Sequence, residues 1–394
     1  MFDPGGRGLQ HQGLRRANER AVLMVVGFNP GVSNADIARL SGLAPQTVSA
    51  ILVDLDRAGL IQRGEVLRGR RGQPATPIFL RAEGGLAIGV EIGWRHIEVL
   101  LLDLTARVLS RQHRSHAFPD AATIVDDVAA MIDAALAGCG PGQRARLSDI
   151  GVAMPNNIAD NFPLVSAPDG MREKWVGFDL ADELARRTGL EVSVFNDGNA
   201  ACWAELIAFP RPRPGNFIYF LLSRYIAAGL VGQGTLWEGP SGNSANLGSM
   251  LVGGPDGQLQ PAYFVASVTA LEARLAAAGF AFDSDRLEDW DWAGFEPVLT
   301  PWIADSAVAL ARVIFNTTMV FESSLVVLDS ILPAPIVTRL VAALEIELER
   351  LPVAPHATPQ VLCGHLGRLA PAIGAAELTL YRRYFSRNLI ELVI

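Results

Sequence analysis

Apolar positions recur at helical spacing through the first sixty residues. From Leu14 to about Gly27, Leu14, Ala17, Ala21, Val22, Met24 and Val25 make one face. Asn29-Pro30-Gly31 breaks that pattern. Ser33 then sits where a helix N-cap belongs, and Asp36, three residues on, completes an approximate capping box. Ile37, Ala38 and Leu40 point inward, and Gly42 allows a turn. A third helix is predicted from about Ala44 to Ala58, with Pro45 in its first turn and a buried stripe of Val48, Ile51, Leu52 and Leu55. Gly59 ends it. Leu60 to Gly64 and Thr76 to Leu80 read as two strands joined by a loop holding Arg68, Arg70, Arg71, Gly72 and Gln73.

Beyond residue 85 the pattern changes. Residues 86–104 alternate like two strands of a hairpin. A helix near 120–137, the strand and loop DIGVAMPNNIAD, a helix near 177–188, the strand EVSVFND and a helix at 199–207 follow. A second series opens with the strands NFIYFLLS and AAGLVGQGTLW. It continues with helices near 266–278, 301–321 and 334–350, the strand SLVVLDS and a closing helical region. Strand meanders followed by helices, used twice, predict a duplicated α/β body with a cleft between two lobes. The acidic segment DSDRLEDWDWAGFEP, with Trp290 and Trp292, reads as a solvated insertion or a helix face.

Composition sharpens the division. The chain has 394 residues, half of them hydrophobic, enough for two or three domains. The net charge of −8 excludes a general nucleic-acid binder. Residues 1–75, however, hold ten Arg against six Asp or Glu, so a head of +4 sits on a body of −12. Contact with DNA is therefore expected at one end only. Cys139, Cys202 and Cys363 are too scattered for a disulfide framework. The N-terminus shows no secretory signal and the apolar runs at 97–102 and 216–222 are short, so the expectation is a cytoplasmic chain without membrane contact. The histidines show no metal spacing, so no metal or cofactor is expected.

Two short helices with a turn between them, followed by a basic hairpin, make a winged helix-turn-helix. Ser33, Asn34, Gln46, Thr47 and Ser49 can reach bases or phosphates of double-stranded DNA, and Arg70, Arg71 and Gln73 of the wing can touch phosphates or the minor groove. The competing reading is a basic module that binds protein.

Five blocks carry a family resemblance. They are GRRGQPATPIFL, VEIGWRHI, IGVAMP, EKWVGFDLADELARRTGLEVSVFNDGNAA and GLVGQGTLWEGPSGNSANLGSM. In order and spacing they resemble the ROK proteins (repressors, open reading frames, sugar kinases), in the repressor branch with a winged-helix head. The resemblance implies an α/β fold: an N-terminal winged helix-turn-helix over residues 1–80, then an actin-like or hexokinase-like pair of lobes over 81–205 and 206–394. The chain is open to crossing back to the first lobe near its end. A sequence-specific regulator of a carbohydrate operon, most simply a repressor acting as a homodimer or dimer of dimers, is the implied function. A sugar-like effector would sit in the cleft.

Kinases of this family handle phosphate with three motifs that differ here. The acidic-Gly-Gly turn reads Glu91-Ile92-Gly93-Trp94-Arg95. The Gly-rich loop reads Ser223-Arg224-Tyr225-Ile226-Ala227-Ala228-Gly229, and a Gly-Gly pair reads Asp329-Ser330, a carboxylate expected to repel nucleotide phosphate. Asp197 matches the family's catalytic base, but with Asn196 it can bind a hydroxyl without chemistry, or act only as a helix N-cap. The family's zinc ligands fall on Ser249, Leu251, Gly253 and Gln258. Two sugar-contacting acids read Asn246 and Gln260. Asn156 and Asn157 are further effector contacts or simply solvated loop. An active kinase with a DNA-binding head, and a regulator with a vestigial cleft, stand as alternatives.

Overall fold

A computed structural model describes residues 11–65, 76–162, 167–254, 257–352 and 358–385. Strand β3 (Leu86–Ile92) is buried at all seven positions, as expected of a central strand covered on both faces. It pairs antiparallel with β4 (His96–Asp103), and β4 pairs with β5 (Val108–Ser115). On its other side lie β6 (Leu147–Met154) and then β7 (Val192–Asn196), both parallel. The first sheet thus has the order β5-β4-β3-β6-β7.

The second half repeats this plan. β8 (Phe217–Leu222), β9 (Ile226–Gly232) and β10 (Thr235–Leu236) form the meander, and β13 (Leu325–Ser330) and β14 (Gln360–Cys363) add the parallel pair. The order is β10-β9-β8-β13-β14, so the predicted duplication is present strand for strand. A small hairpin, β11 (Leu251–Gly253) with β12 (Leu259–Pro261), is inserted after the meander.

The outer face of the first sheet is covered by α4 (Ile124–Ala135) and α8 (Leu180–Thr188). The short helices α5 (Pro141–Arg144), α6 (Ile158–Asn161) and α7 (Met171–Trp175) fill the connections. The second sheet is covered by α10 (Tyr263–Ala266), α11 (Val268–Ala277), α12 (Glu296–Thr318) and α13 (Ala334–Arg350). α12 is long and apolar enough by composition to cross a membrane, longer than the apolar runs picked from the sequence. Its Trp302, Ala307, Leu310 and Ile314 are instead core residues of the second lobe. Trp290 corrects another expectation. It is 6% exposed and packs with Phe282, Trp292 and Phe295, so the acidic segment anchors an aromatic extension of this core.

Two helices exchange lobes. α9 (Asp197–Ala208) leaves the first sheet and lies on the second, while α14 (Ala370–Tyr384) leaves the second and lies on the first. Both approaches are too close for a side chain. A Cβ on Gly89 would overlap the carbonyl oxygen of Ala372, and one on Gly151 that of Ala375. A Cβ on Gly198 would overlap the backbone of Ala228, and one on Gly374 the carbonyl oxygen of Ala200, where the helices cross.

The head is a trihelical unit with a short hairpin. α1 (His11–Phe28), α2 (Asn34–Ser41) and α3 (Pro45–Arg57) pack through Val22, Val26, Ile37, Val48, Ile51, Leu52 and Leu55. β1 (Ile61–Arg63) pairs antiparallel with β2 (Ile78–Leu80). Arg68, Arg70, Arg71, Gly72 and Gln73, named above for the wing tip, lie outside the described residues. The head is not tethered loosely, because its core is continuous with that of the first lobe.

Replacing Gly374 by Ala puts a methyl into a backbone carbonyl, and overpacking of this kind costs about 1–3 kcal/mol or more. Gly138, with open space around it, is the matched control, expected within about 0.5 kcal/mol. Urea unfolding of Gly374→Ala and Gly138→Ala checks this, and equal midpoints would show that the close approach carries no stability.

Candidate functional site

The cleft between the lobes holds a cavity of about 230 Å³. Its floor is the start of α9. Asn196 has extended backbone geometry and caps that helix, its Oδ1 accepting the Asn199 amide at 3.0 Å. The cap is therefore Asn196, which removes the reading of Asp197 as N-cap alone. Asp197 Oδ1 accepts from Gly198 N at 2.8 Å and from Asn196 Nδ2 at 3.1 Å. Its second oxygen makes no hydrogen bond among the described residues. Burial, reinforced by the charge of Glu91, pushes its pKa up to about 6, against the pull of its hydrogen bonds.

The other polar groups come from two loops and from α9. Asn156 follows β6, and its Nδ2 reaches the Gly242 carbonyl across the cleft at 3.4 Å. Asn199 Nδ2 donates to the same oxygen at 3.0 Å, so the second-lobe loop is clasped to the first lobe twice. Asn246 Oδ1 accepts from Ser249 Oγ at 2.9 Å, which leaves the Asn246 amide free to donate. Asn156, Asn157, Asn196, Asp197, Asn246 and Ser249 all line the cavity. Gln260 does not. It lies on β12 opposite Val252, outside the lining, and its expected sugar contact is corrected.

One wall is aromatic. Trp94, in the turn after β3, meets Phe162 edge-on with ring centres 5.8 Å apart. It also meets Tyr225 of the opposite lobe at 5.9 Å. Tyr225 in turn touches Tyr263 at 5.7 Å. Burial pushes the Tyr225 hydroxyl up to about 12, so it stays protonated as a donor. Behind this wall lies a smaller chamber of about 50 Å³ with Arg95, His96, Arg224 and Arg368. Three of these four groups have acidic neighbours: Arg224 pairs with Glu272, Arg95 lies 3.9 Å from Asp285, and His96 Nε2 lies 3.4 Å from Glu91.

Asp329 departs from the sequence expectation. It is 4% exposed and turned inward, accepting from Ser330 N, Gly367 N and Tyr219 Oη at 2.9–3.1 Å. Rather than facing a phosphate, it ties β13 to the turn that launches α14.

Residues 87–382 match the ROK family, three quarters of the chain. This chain belongs to the ROK family. Residues 12–72 also match the MarR family, the stretch that holds α1, α2, α3 and β1 of the head. The ROK protein is 26% identical over 242 residues to the xylose repressor of Bacillus spizizenii, 61% of each chain. A solved ROK family transcriptional regulator, described as a homologue of the E. coli Mlc protein, superposes with a TM-score of 0.69 at 19% identity. That match covers 96% of this chain and 99% of the other. A ROK glucokinase from Streptomyces griseus, in complex with glucose and AMPPNP, gives 0.60 at 22% identity over 75% of this chain and 99% of its own. These likenesses establish a two-lobed sugar-kinase-like fold with an added head.

In the head of this ROK protein the named readers divide. Ser33 caps α2, accepting from Asp36 N at 3.2 Å while its hydroxyl donates to Asp36 Oδ2 at 2.7 Å. Asn34 Nδ2 donates to Ser49 Oγ at 2.8 Å, which ties α2 to α3. Gln46 and Thr47 remain exposed and without side-chain partners among the described residues. Sequence reasoning did not single out Asn199, Tyr225 as a pocket wall, or Tyr263. The run Gly239-Pro240-Ser241-Gly242-Asn243-Ser244 was the available signal, since a Gly- and Asn-rich loop beside a cleft can bend over a ligand.

The raised pKa of Asp197 has a stability consequence. Its charged form is disfavoured in the folded state, so the penalty is absent below the unfolded carboxyl value of 3.8 and complete once pH exceeds about 6. Asp197→Asn is expected to stabilise the protein at pH 7 by at most about 2–3 kcal/mol, since a tenfold change in proton affinity is worth ~1.4 kcal/mol. That advantage shrinks at pH 5. Urea unfolding at both pH values decides it, and a pH-independent difference would contradict burial as the cause.

Proposed function

We propose that this ROK protein is a DNA-binding repressor of a carbohydrate uptake or catabolism operon. Its operator affinity is set by a sugar-like effector held at Asn156, Asn196, Asp197, Asn246 and Ser249. One observation chiefly supports this reading: a cavity lined by amides, hydroxyls and a carboxylate is joined by packed helices to the winged head. Asp197 opens α9, α9 crosses α14, and the end of α14 supports α1. There Phe28 lies 6.1 Å from Tyr381, and the guanidinium groups of Arg211 and Arg213 stand 5.1 and 4.3 Å from its ring. Arg211 also pairs with Asn29, and Arg20 donates to the carbonyls of Arg382 and Arg383 at 3.1 and 3.3 Å. Arg211 and Arg213 belong to the segment linking α9 to β8, the connection between the lobes. Lobe closure around a ring would move the surface on which the head sits.

The pocket chemistry fits such an effector. A cavity of 230 Å³ is smaller than the ~300–1,000 Å³ that accommodates drug-sized ligands, and suits one sugar ring. Amides, hydroxyls and one carboxylate give alternating donors and acceptors for hydroxyl groups, and Trp94 and Tyr225 offer an apolar wall. The protein acts in the cytoplasm, as a homodimer or dimer of dimers that places two heads on two half-sites. Arg70, Arg71 and Gln73 of the wing supply phosphate and minor-groove contacts.

We assign no kinase activity. Trp94 and Tyr225 meet where the resemblance places glycines that let phosphates approach the backbone. A coupled ATP-consumption assay across a sugar panel tests this point, and sustained turnover favours the kinase alternative. The main test is a mobility-shift titration with the gene's own upstream region. D-xylose, D-glucose, N-acetyl-D-glucosamine and myo-inositol serve as probes. One ring should change operator affinity by about 5–150-fold, the usual range of allosteric coupling. No shift with any ring, in a protein that binds the region, points to the vestigial-cleft alternative.

Phe28→Ala supplies a further check. The variant should still bind both the ring and the operator, while the effect of one on the other falls below about twofold. Full coupling in the variant would remove the Phe28 contact from the mechanism.

A further inference from the structure

We infer that α3 reads A·T base pairs in the major groove, through adenine hydrogen bonding by Gln46 and thymine-methyl contact by Thr47 and Ala50. The inference rests on the DNA-reading role of α3 and adds the class of base it selects. The helix is presented with Val48, Ile51, Leu52 and Leu55 buried against the head, leaving Gln46, Thr47, Ala50 and Val53 on the solvent face. Ser49 is on that side too, but its hydroxyl donates to the Pro45 carbonyl at 2.9 Å and accepts from Asn34. Ser49 therefore fixes the angle between α2 and α3 and has little capacity left for a base.

Charge decides the rest. Guanine is most often read by Arg or Lys held bidentate on its O6 and N7. The charged residues of α3 are Asp54, Asp56 and Arg57, all in its last turns. Arg57 is drawn back to Asp54 at 3.2 Å, and Arg39 of α2 to Asp36 at 3.2 Å. The first two turns of α3, which enter deepest in this docking mode, carry no cation. What they offer is one planar amide with a donor and an acceptor, and a row of methyl groups. The amide matches adenine N6 and N7, and the methyls match the thymine C5 methyl. Ala44, the N-cap of α3, makes no side-chain cap, so first-turn amides stay free for a phosphate that holds the helix in register.

The test uses the full-length protein and a randomised duplex library. Selected half-sites are compared for wild type, Gln46→Ala and Thr47→Ser, all exposed positions that leave the head core intact. The positions where a variant loses its preference lie under α3. They should be A·T pairs, with a G·C replacement costing wild type about 5–150-fold. Deoxyuridine in place of the contacted thymidine removes only the methyl group and should weaken wild type about fourfold. Thr47→Ser should be insensitive to that replacement at its own contact. G·C pairs under α3, or full wild-type affinity for the uracil duplex, would overturn the inference while leaving DNA reading in place. Recovery of no preferred duplex would overturn DNA reading itself and the inference with it.

Discussion

The crossing of α9 and α14 at Ala200 and Gly374 is the constraint on which the rest of this protein depends. Each helix belongs by sequence to one lobe and by packing to the other. Only glycine at 89, 151, 198 and 374 lets the backbones come close enough. Interiors packed at such density shift between discrete arrangements rather than deforming smoothly. A change in the angle between the lobes must therefore move these two helices, and both of their outer ends are occupied. The first end carries Asp197 and the cavity. The second carries Tyr381 and Phe385, against which the head rests.

The same crossing explains the cavity's chemistry. Opening a helix in the cleft places Asp197 where water is scarce and backbone amides are concentrated. Burial raises its pKa, while its Gly198 and Asn196 hydrogen bonds hold the carboxyl in place. In an active kinase such a group serves as a base. Here the opposite side of the cleft is walled by Trp94 and Tyr225, and Arg224 beyond that wall is matched to an acid. A carboxylate in that setting is suited to accept a hydroxyl hydrogen bond without passing the proton on. The Gly242 carbonyl accepts from Asn156 in the loop after β6 and from Asn199 on α9, so the loop that carries it is pinned at the mouth of the cavity.

Local features were legible in the sequence. The capping box at Ser33 and Asp36, the stripe along α3 and the doubled meander all follow from short-range periodicity and turn chemistry. Asp197 and Asn246 were singled out by their places in family motifs and Asn156 by its loop after Pro155, and all three line the cavity. What was missed depends on contacts between distant segments. Gln260 was assigned to the pocket by motif position, yet it lies on β12, outside the residues that line the cavity. Asp329 was read as a carboxylate set to repel a nucleotide phosphate, but it is buried on Tyr219 and Gly367, which lie 110 and 38 residues away. Trp290 looked solvated because its neighbours in sequence are acidic, whereas its neighbours in space are Phe282 and Phe295. The seat of the head on Phe28, Arg211 and Tyr381 joins three parts of the chain that no local pattern connects.

Coupling between two sites is reciprocal for binding free energies. Calorimetric titration of the effector ring into the protein, alone and then saturated with operator duplex, therefore probes the link between cleft and head without relying on any variant. Operator should change ring affinity by the same factor by which the ring changes operator affinity. A ring affinity that is identical with and without DNA, in a protein that binds both, would show that α9 and α14 transmit nothing between them.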